Sequence, residues 1–290
     1  MDRENQMRKI IIGDIHGCLE EVLTLLEEAE FDRNRDMVIQ LGDMIDRGPD
    51  PCGVLEFFKA MKEKIGDRCV LLRGNHEEIL MEAVKDRELM DLWGFNGGMK
   101  TVRSMKTRGM RPADWVSWLE SETVLWYQDE EILCAHAGVE SEHGPDNSPD
   151  VLLWDRNRLL ENRYTGRLAI VGHTPLSAAA YMDGSGGEAR ALPENTVLSL
   201  PETGMICLDT GCVFGGRLTA MILSEGTFRL QSVKGPGSRR KTRIPEGDSG
   251  RHPGRVQPDE KVTFFPDCHI CDIRRNVSLV FLTGYVKILS

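Results

Sequence analysis

The chain of 290 residues is long enough for one large domain or two ordinary ones, and its 40% apolar residues can fill a core. Its formal charge of −10 disfavours a surface that binds a nucleic-acid backbone. The charged N-terminus lacks an apolar signal segment, and no stretch approaches the roughly 18 apolar residues of a membrane span. With eight mostly isolated cysteines, we expect a cytoplasmic protein without membrane spans or a disulfide framework.

The first part of the sequence alternates short apolar strands with segments of helical periodicity. "RKIIIGD" at 8–14 predicts a buried strand, and apolar residues recur at helical spacing through 19–29. "DMVIQLGD" at 36–43 repeats the design, and Asp50 and Pro51 suit the start of its helix. "RCVLLRGNH" at 68–76 is the third strand, with Glu77 in the first turn of the following helix. The pattern indicates βα organisation.

The second part of the sequence has a different organisation. Residues 91–120, which include three tryptophans, predict a helical insertion at the rim of a site. The strand candidates between residues 123 and 233 have few helices between them, which indicates a second, more antiparallel sheet. We therefore expect two mixed sheets packed face to face.

A change of composition near Lys234 indicates the end of this domain. We expect a catalytic domain at 1–234 and, at 235–290, a basic linker with a short C-terminal extension of unknown role. The extension carries 10 Lys plus Arg and 6 Asp plus Glu, a net charge of +4, which leaves −14 on the domain. This difference predicts that the extension lies against or near the acidic surface of the domain. Cys268 and Cys271 in "CHIC" form half of a zinc-site pattern, but a plain linker with an added β element is favoured.

Polar clusters follow five of the strand candidates at the point where each strand ends. They are "GDIHG" at 13–17, "GDMIDRG" at 42–48, "RGNHE" at 73–77, "CAHAG" with His136, and "VGHT" with His173. Each cluster alone has an ordinary explanation as a turn, a helix cap or a buried imidazole. Because the carboxyl ends of strands in an open α/β sheet meet in one crevice, the joint occurrence of five favours a shared site.

The side chains in these clusters are suited to holding metal ions. Asp14 and His16 lie two residues apart in an extended segment and can hold one cation, which Asp43 can also bridge. A second position is supplied by Asn75, His136 and His173. Oxygen and imidazole ligands without thiolates suit Mn, Fe or Zn. Two cations about 3.5–4 Å apart form the arrangement that clamps both oxygens of a phosphoryl displacement.

The motifs resemble the phosphoprotein phosphatase family of the calcineurin-like metallophosphoesterases, in its bacterial and phage branch. "LLWDRNR" at 152–158 and "LDTGCVFGGRLTA" at 208–220 extend the resemblance, which covers roughly 8–234. It implies an α/β (α+β mixed) fold, a four-layer αββα sandwich of two mixed β-sheets around a dinuclear site. It also implies two divalent metal ions, with Mn²⁺ expected and Fe or Zn as alternatives.

The resemblance also implies the roles of individual residues. His76 would be the general acid, and Asp46 would orient it by pairing with its other ring nitrogen. The phosphate would be bound by Arg47, Arg73 and Arg156. The implied reaction is in-line attack on phosphorus by a metal-bridged hydroxide.

Several functions are compatible with these motifs. The leading hypothesis is a serine/threonine protein phosphatase, whose partner is a phosphoprotein or phosphopeptide. The alternative is a symmetrical diadenosine tetraphosphate hydrolase; that branch shares "GDxHG" and the "DTGCV" stretch but commonly departs from "DRG" and "GNHE", which this chain keeps. A catalytically inert binding protein that acts through its tail is a third hypothesis. A metallonuclease is disfavoured because a basic track for DNA is missing.

Overall fold

A computed structural model describes residues 7–237 and 262–263. Its strands, in chain order, are β1 (Lys9–Ile12), β2 (Met37–Gln40), β3 (Cys69–Leu72), β4 (Thr123–Val124), β5 (Trp126–Gln128), β6 (Leu133–Ala135), β7 (Ala169–Val171), β8 (Ala180–Met182), β9 (Arg190–Ala191), β10 (Leu198–Ser199), β11 (Met205–Cys207), β12 (Arg217–Ser224) and β13 (Thr227–Lys234). Its α-helices are α1 (Leu19–Glu28), α2 (Pro51–Ile65), α3 (Asn75–Ala83), α4 (Arg87–Trp93), α5 (Met99–Thr107), α6 (Ala113–Glu122), α7 (Pro149–Trp154) and α8 (Asn157–Glu161).

The first sheet has seven strands in the order β10-β13-β12-β1-β2-β3-β4. The strands β1 to β4 run parallel, as expected for the βα units, and α2 begins at Pro51 with the Asp50 side chain accepting from Gly53. The expectation that the later strands all form the second sheet is wrong for β4, β12 and β13. Strand β12 pairs antiparallel with one edge of β1, and β2 pairs parallel with the other edge. A two-residue turn at Glu225 and Gly226, both at positive φ, then returns the chain as β13.

The second sheet has six strands in the order β5-β6-β7-β11-β8-β9. Its central strands β6, β7 and β11 are parallel, and its outer pairs are antiparallel. Both sheets are therefore mixed, as predicted. Because β6, β7 and β11 run parallel to one another, their carboxyl ends share one edge of this sheet.

Three apolar clusters separate four layers of structure. One cluster lies between α1 to α6 and the first sheet, and includes the fully buried Phe58 and Trp93. A second, with Ile11 and Ile206, fills the space between the two sheets. A third lies between the second sheet and the pair α7 and α8. The predicted αββα order of layers is confirmed.

The helical insertion reaches further inward than the rim position expected for it. Helices α4 and α5 are joined by a five-residue π-helical segment, Gly94–Gly98, with Gly97 at a φ of 105°. Trp93, the last residue of α4, has no exposed surface. The insertion thus contributes side chains to the interior beneath the strand ends.

Membrane spans and cysteines were also the subject of predictions from the sequence. Among the described residues, no helix combines the length and apolar character that a membrane crossing requires. The six described cysteines are free and buried. Cys268 and Cys271 lie outside the described residues.

Candidate active site

The predicted site residues lie just beyond the carboxyl ends of five strands, except for Arg156, which lies between α7 and α8. Asp14 and His16 follow β1, Asp43, Asp46 and Arg47 follow β2, and Arg73, Asn75 and His76 follow β3. His136 and His173 follow β6 and β7 in the second sheet. The eight carboxylate, amide and imidazole side chains among them are buried. The structure therefore brings together groups that are separated by about 160 positions in the sequence.

Asp43 lies between two groups of possible ligand atoms. Its Oδ2 is 3.5 Å from Nε2 of His16 and 3.9 Å from Nε2 of His76. Its Oδ1 is 3.5 Å from Nε2 of His136. Among the described residues, two clusters could each hold a metal ion: His16, Asp43 and His76 form one, and Asp43, His136 and His173 form the other. One carboxylate thus belongs to both clusters.

The tautomers of two imidazoles follow from their backbone contacts. Nδ1 of His16 lies 2.8 Å from the carbonyl oxygen of Ile45, and Nδ1 of His136 lies 2.8 Å from that of Leu41. A carbonyl only accepts, so each Nδ1 carries the proton and each Nε2 presents a lone pair. This is the arrangement in which metal-binding imidazoles are generally held.

Acceptor atoms converge at both clusters. Nε2 of His136 is 3.0 Å from Oδ1 of Asn75 and 3.1 Å from Nδ1 of His173, which itself is 3.0 Å from Asn75 Oδ1. At the other cluster the Arg47 guanidinium donates to Nε2 of His16 at 2.6 Å, so a positive group contacts that lone pair. Nitrogen and oxygen acceptors that face one another in a buried space are suited to a cation. The donor set fits divalent metal ions.

The electrostatics of the site support the same conclusion. Burial lowers the pKa of His16, His136 and His173, which favours the neutral imidazoles that bind metals. Burial, then repulsion by Asp209 and Asp43, raises the pKa of Asp14 well above its usual value. The Asp14 carboxylate is thus short of compensating positive charge, which a divalent cation would supply.

Asp14 occupies a different position from the other expected ligands. Both of its carboxylate oxygens accept from the backbone N–H of His173, at 3.0 and 3.1 Å. It belongs to neither of the two clusters described above. Its role as a ligand stays a prediction, and its contact with His173 ties β1 of the first sheet to β7 of the second.

His76, a member of the first cluster, is closely paired with Asp46, which belongs to neither cluster. Nδ1 of His76 lies 2.6 Å from Oδ2 of Asp46, and both side chains are almost fully buried. The carboxylate fixes the proton on Nδ1, so Nε2 is directed toward Asp43. The backbone N–H of His76 also donates to Asp43 at 3.0 Å. Asn75 and His76, adjacent in sequence, therefore present their side chains to different parts of the site.

The three arginines differ in their surroundings. Arg47 contacts His16 and stacks over the Phe214 ring at 5.6 Å from its centroid. Arg73 donates to Thr123 at 3.1 Å and to Glu78 at 3.2 Å. Nη2 of Arg156 is buried without a hydrogen-bond partner among the described residues. A buried donor of this kind is costly unless an anion occupies the space beside it.

Four further residues support the site, and the sequence motifs did not single them out for it. The Glu77 carboxylate accepts from the backbone N–H groups of Asp43, Met44, Ile45 and Gly74 at 2.8–3.2 Å, which holds the loop after β2. Burial and the Asp43 charge raise the pKa of Glu77 to about 7. Burial also raises the pKa of Asp209, in the "LDTG" stretch, to about 7. Trp93 and Thr101 contact Asp46 from the helical insertion.

Backbone conformation at the site is unusual. Nine non-glycine residues among those described have positive φ, and five of them are predicted site residues: His16, Asp43, Asp46, Arg47 and His173. Side chains rarely adopt this region because Cβ then approaches the following carbonyl. Such conformations collect where a site, and not local preference, determines the backbone.

The fold and the site together define a metal-binding hydrolase of phosphoesters. The chain belongs to the calcineurin-like phosphoesterase family, whose sequence profile matches residues 7–203. It is 28% identical over 245 residues to Serine/threonine-protein phosphatase 1 of Salmonella typhimurium, covering 76% of this chain and 93% of that protein. It is 26% identical over 298 residues to the symmetrical Bis(5'-nucleosyl)-tetraphosphatase of Klebsiella pneumoniae, covering 84% of this chain and 99% of that protein.

Solved structures support the fold. A serine/threonine phosphatase from Saccharomyces cerevisiae with similarity to human phosphatase PP5 superposes with a TM-score of 0.56 at 15% identity, covering 81% of this chain and 82% of that chain. A metallophosphoesterase from Sphaerobacter thermophilus superposes with a TM-score of 0.54 at 17% identity, covering 80% and 90%. Members of the family normally use two divalent metals, which agrees with the two clusters that share Asp43.

Proposed function

We propose that the chain is a metal-dependent phosphomonoesterase that acts on phosphoserine and phosphothreonine in proteins. The observation that carries the proposal is the 2.6 Å pair of His76 Nδ1 and Asp46 Oδ2, in which His76 also lies within the candidate metal cluster of His16 and Asp43. A serine or threonine alkoxide is a strongly basic leaving group, so its departure needs a proton from a positioned acid. His76 as the imidazolium, with its Nδ1 proton held by Asp46, is placed to donate the proton on Nε2.

The six candidate metal ligands would bind two divalent cations in this proposal. Asp14, His16 and Asp43 would hold one divalent cation, and Asn75, His136 and His173 the other, with Asp43 shared. The set contains oxygen and imidazole ligands without thiolates, which suits Mn, Fe or Zn. Among these, Mn²⁺ is the expected metal, with Fe or Zn as alternatives. When bound, such a pair of cations offsets the negative charge of the transition state and lowers the pKa of water.

The arginines would orient the phosphate. Arg156 is best supported, because its buried Nη2 lacks a partner among the described residues. Arg47 can exchange its contact with His16 for one with a phosphate oxygen, and Arg73 follows β3 two residues before Asn75. Planar guanidinium groups bind phosphate through two parallel hydrogen bonds, which fixes the phosphorus for in-line attack.

Hydrolysis of a dinucleoside tetraphosphate is the second candidate, and relatives of both kinds match at similar identity. Its leaving group is a nucleotide phosphate, which is a weak base and departs with less need of a proton. The buried His76–Asp46 couple therefore favours the alkyl phosphoester. The retained "DRG", which contains Asp46, and "GNHE", which contains His76, support the same choice.

One assay tests the proposal. Turnover of a phosphoserine peptide and of diadenosine tetraphosphate is measured with Mn²⁺, with Zn²⁺ and after exhaustive chelation. We expect the peptide to be preferred and both activities to need metal. Exclusive cleavage of the dinucleotide would replace the proposal by the second candidate, and metal binding without turnover of p-nitrophenyl phosphate would support an inert binding protein. The cytoplasmic location and the domain boundary at Lys234 stay predictions.

A further inference from the structure

A short part of the C-terminal extension contacts the catalytic domain on the outer side of the second sheet. The two described residues of that region are Val262 and Thr263, which follow the end of β13 by 28 and 29 positions. The backbone N–H of Ser177 donates to the carbonyl of Thr263 at 2.8 Å. The N–H of Thr263 donates in turn to the Ser177 hydroxyl at 3.0 Å. The segment is thus attached through its main chain.

The Val262 side chain lies at an apolar cavity of about 460 Å³. Its apolar walls come from α8, from β8 and from the loops beside them: Leu159, Leu160, Leu176, Met182 and Ala189. Val262 packs against the third apolar cluster, while Leu160 at the mouth is 49% exposed. At these two residues the contact is therefore apolar and through the main chain, and the predicted contact with the acidic surface falls on charged residues outside the described ranges.

Main-chain hydrogen bonds beside an apolar pocket are typical of an extended peptide bound at the edge of a domain. Main-chain hydrogen bonds then provide affinity, and a pocket for one side chain provides specificity. We propose that the cavity beside α8 is a docking site for an extended segment with an apolar side chain, and that Val262–Thr263 is its occupant within the same chain.

The docking point is connected to the active site by a short loop. Ser177 lies four residues after His173, and the intervening Leu176 donates its N–H to the carbonyl of Asp209 at 3.0 Å. Docking of Val262–Thr263 therefore restrains the loop that carries one of the proposed metal ligands. The inference itself does not depend on which phosphoester is the substrate.

Hydrogen exchange tests the attachment in the full chain. In Val262→Asp, a carboxylate would enter an apolar cavity, so the segment should be released and exchange of the Ser177 amide should become roughly tenfold faster or more. Val197→Asp is the matched control, because Val197 is 68% exposed and lies outside the cavity. Unchanged exchange of the Ser177 amide in Val262→Asp would overturn the proposal.

Competition by a peptide tests the cavity as a docking site. A labelled peptide of residues 259–265 should bind the Val262→Asp chain at least roughly tenfold more tightly than the wild-type chain, because a tethered segment competes at high effective concentration. The same peptide with Asp in place of its valine should bind neither chain. Equal affinity for the two chains, or binding that ignores the valine, would contradict the proposal. Neither measurement depends on enzymatic activity.

Discussion

Trp93 donates its indole N–H to Oδ2 of Asp46 at 2.8 Å, the same oxygen that lies 2.6 Å from His76. Thr101 donates to the other oxygen at 2.5 Å and accepts from the backbone N–H of Asp46 at 3.0 Å. Both residues come from the helical insertion. The insertion therefore determines the orientation of the carboxylate that orients the proposed acid.

Thr101→Val should slow turnover of a phosphoserine peptide by roughly 10–100-fold, because the loss of a hydrogen bond that positions such a group has effects of that size. Thr101→Ser keeps the hydroxyl and should retain most of the activity. Steady-state kinetics of the two variants, with metal content measured in parallel, makes the comparison. Full turnover by Thr101→Val would show that Asp46 does not need this contact.

His76→Asn should reduce turnover of the phosphoserine peptide by roughly 10²–10⁴-fold, the usual contribution of a positioned proton donor. Hydrolysis of p-nitrophenyl phosphate should fall much less, because nitrophenolate leaves without a proton. The variant should still bind metal. An equal loss on both substrates would contradict the assignment of His76 as the acid.

Asp43→Asn should remove more metal than any other single substitution in the site. The amide lacks the charge and the second acceptor oxygen with which Asp43 faces both His16 and His136. Elemental analysis of the purified variant measures the loss, and the exposed Asp146→Asn is the matched control. A full complement of metal in Asp43→Asn would show that the two clusters do not share this carboxylate.

Lys9→Met should destabilise the fold by about 1–3 kcal/mol, because it leaves two partly buried carboxylates unpaired. Lys9 in β1 forms ion pairs of 2.6 and 2.7 Å with Asp129 and Glu131, and only 8% of its side chain is exposed. The matched control is Lys85→Met, whose pair with Glu120 is exposed and should contribute less than about 1 kcal/mol. Denaturant unfolding of both variants measures the difference.

The contribution of this ion pair should depend on pH in a defined direction. Burial alone would raise the pKa of Asp129, but hydrogen bonds from Lys9 and from the backbone outweigh burial and lower it. A carboxyl with a lowered pKa stabilises the fold above its unfolded pKa of about 4, and this stabilisation is lost as the pH falls through the folded pKa. The difference between wild type and Lys9→Met should therefore be constant near neutral pH and shrink below about pH 4.

Gly42→Ala should impair both folding and metal binding. Gly42 has a φ of 95°, and a Cβ there would lie 2.7 Å from the backbone of Gly74 and from Nδ1 of His136. Gly66→Ala is the matched control, since Gly66 also has positive φ but open space around it. It should cost about 1–3 kcal/mol of backbone strain without crowding. Thermal melting and metal content of the two variants separate crowding from strain, and equal effects would contradict the expected crowding.

Much of the fold could be predicted because its elements have strong local signals. The apolar strands β1 to β3, the Asp50 cap before Pro51, and the polar residues after each strand can all be read without knowledge of distant contacts. The parallel strands also imply that Asp14, Asp43 and Asn75 meet at one edge, and the structure places them there.

The remaining features depend on long-range contacts that local patterns do not contain. Strand β12 is separated from β1 by about 205 positions, and its nearly continuous apolar run fits either sheet equally well. Trp93 was expected only as part of a helical insertion at the rim, and its bond to Asp46 spans 47 positions. Glu77 was expected only to complement the helix dipole, since the four backbone donors it accepts from belong mainly to a loop some 30 positions earlier.

The five left-handed residues at the site have a consequence for how this enzyme can be improved. Each such conformation costs about 1–2 kcal/mol, and glycine would relieve it without any rearrangement of the chain. Arg47→Gly should then tolerate more heat than the natural chain while losing catalytic power, whereas Asp46→Gly would gain less, because it leaves the buried donors of His76, Trp93 and Thr101 unpaired. A search for thermostable variants that does not also score turnover would select such inactive proteins.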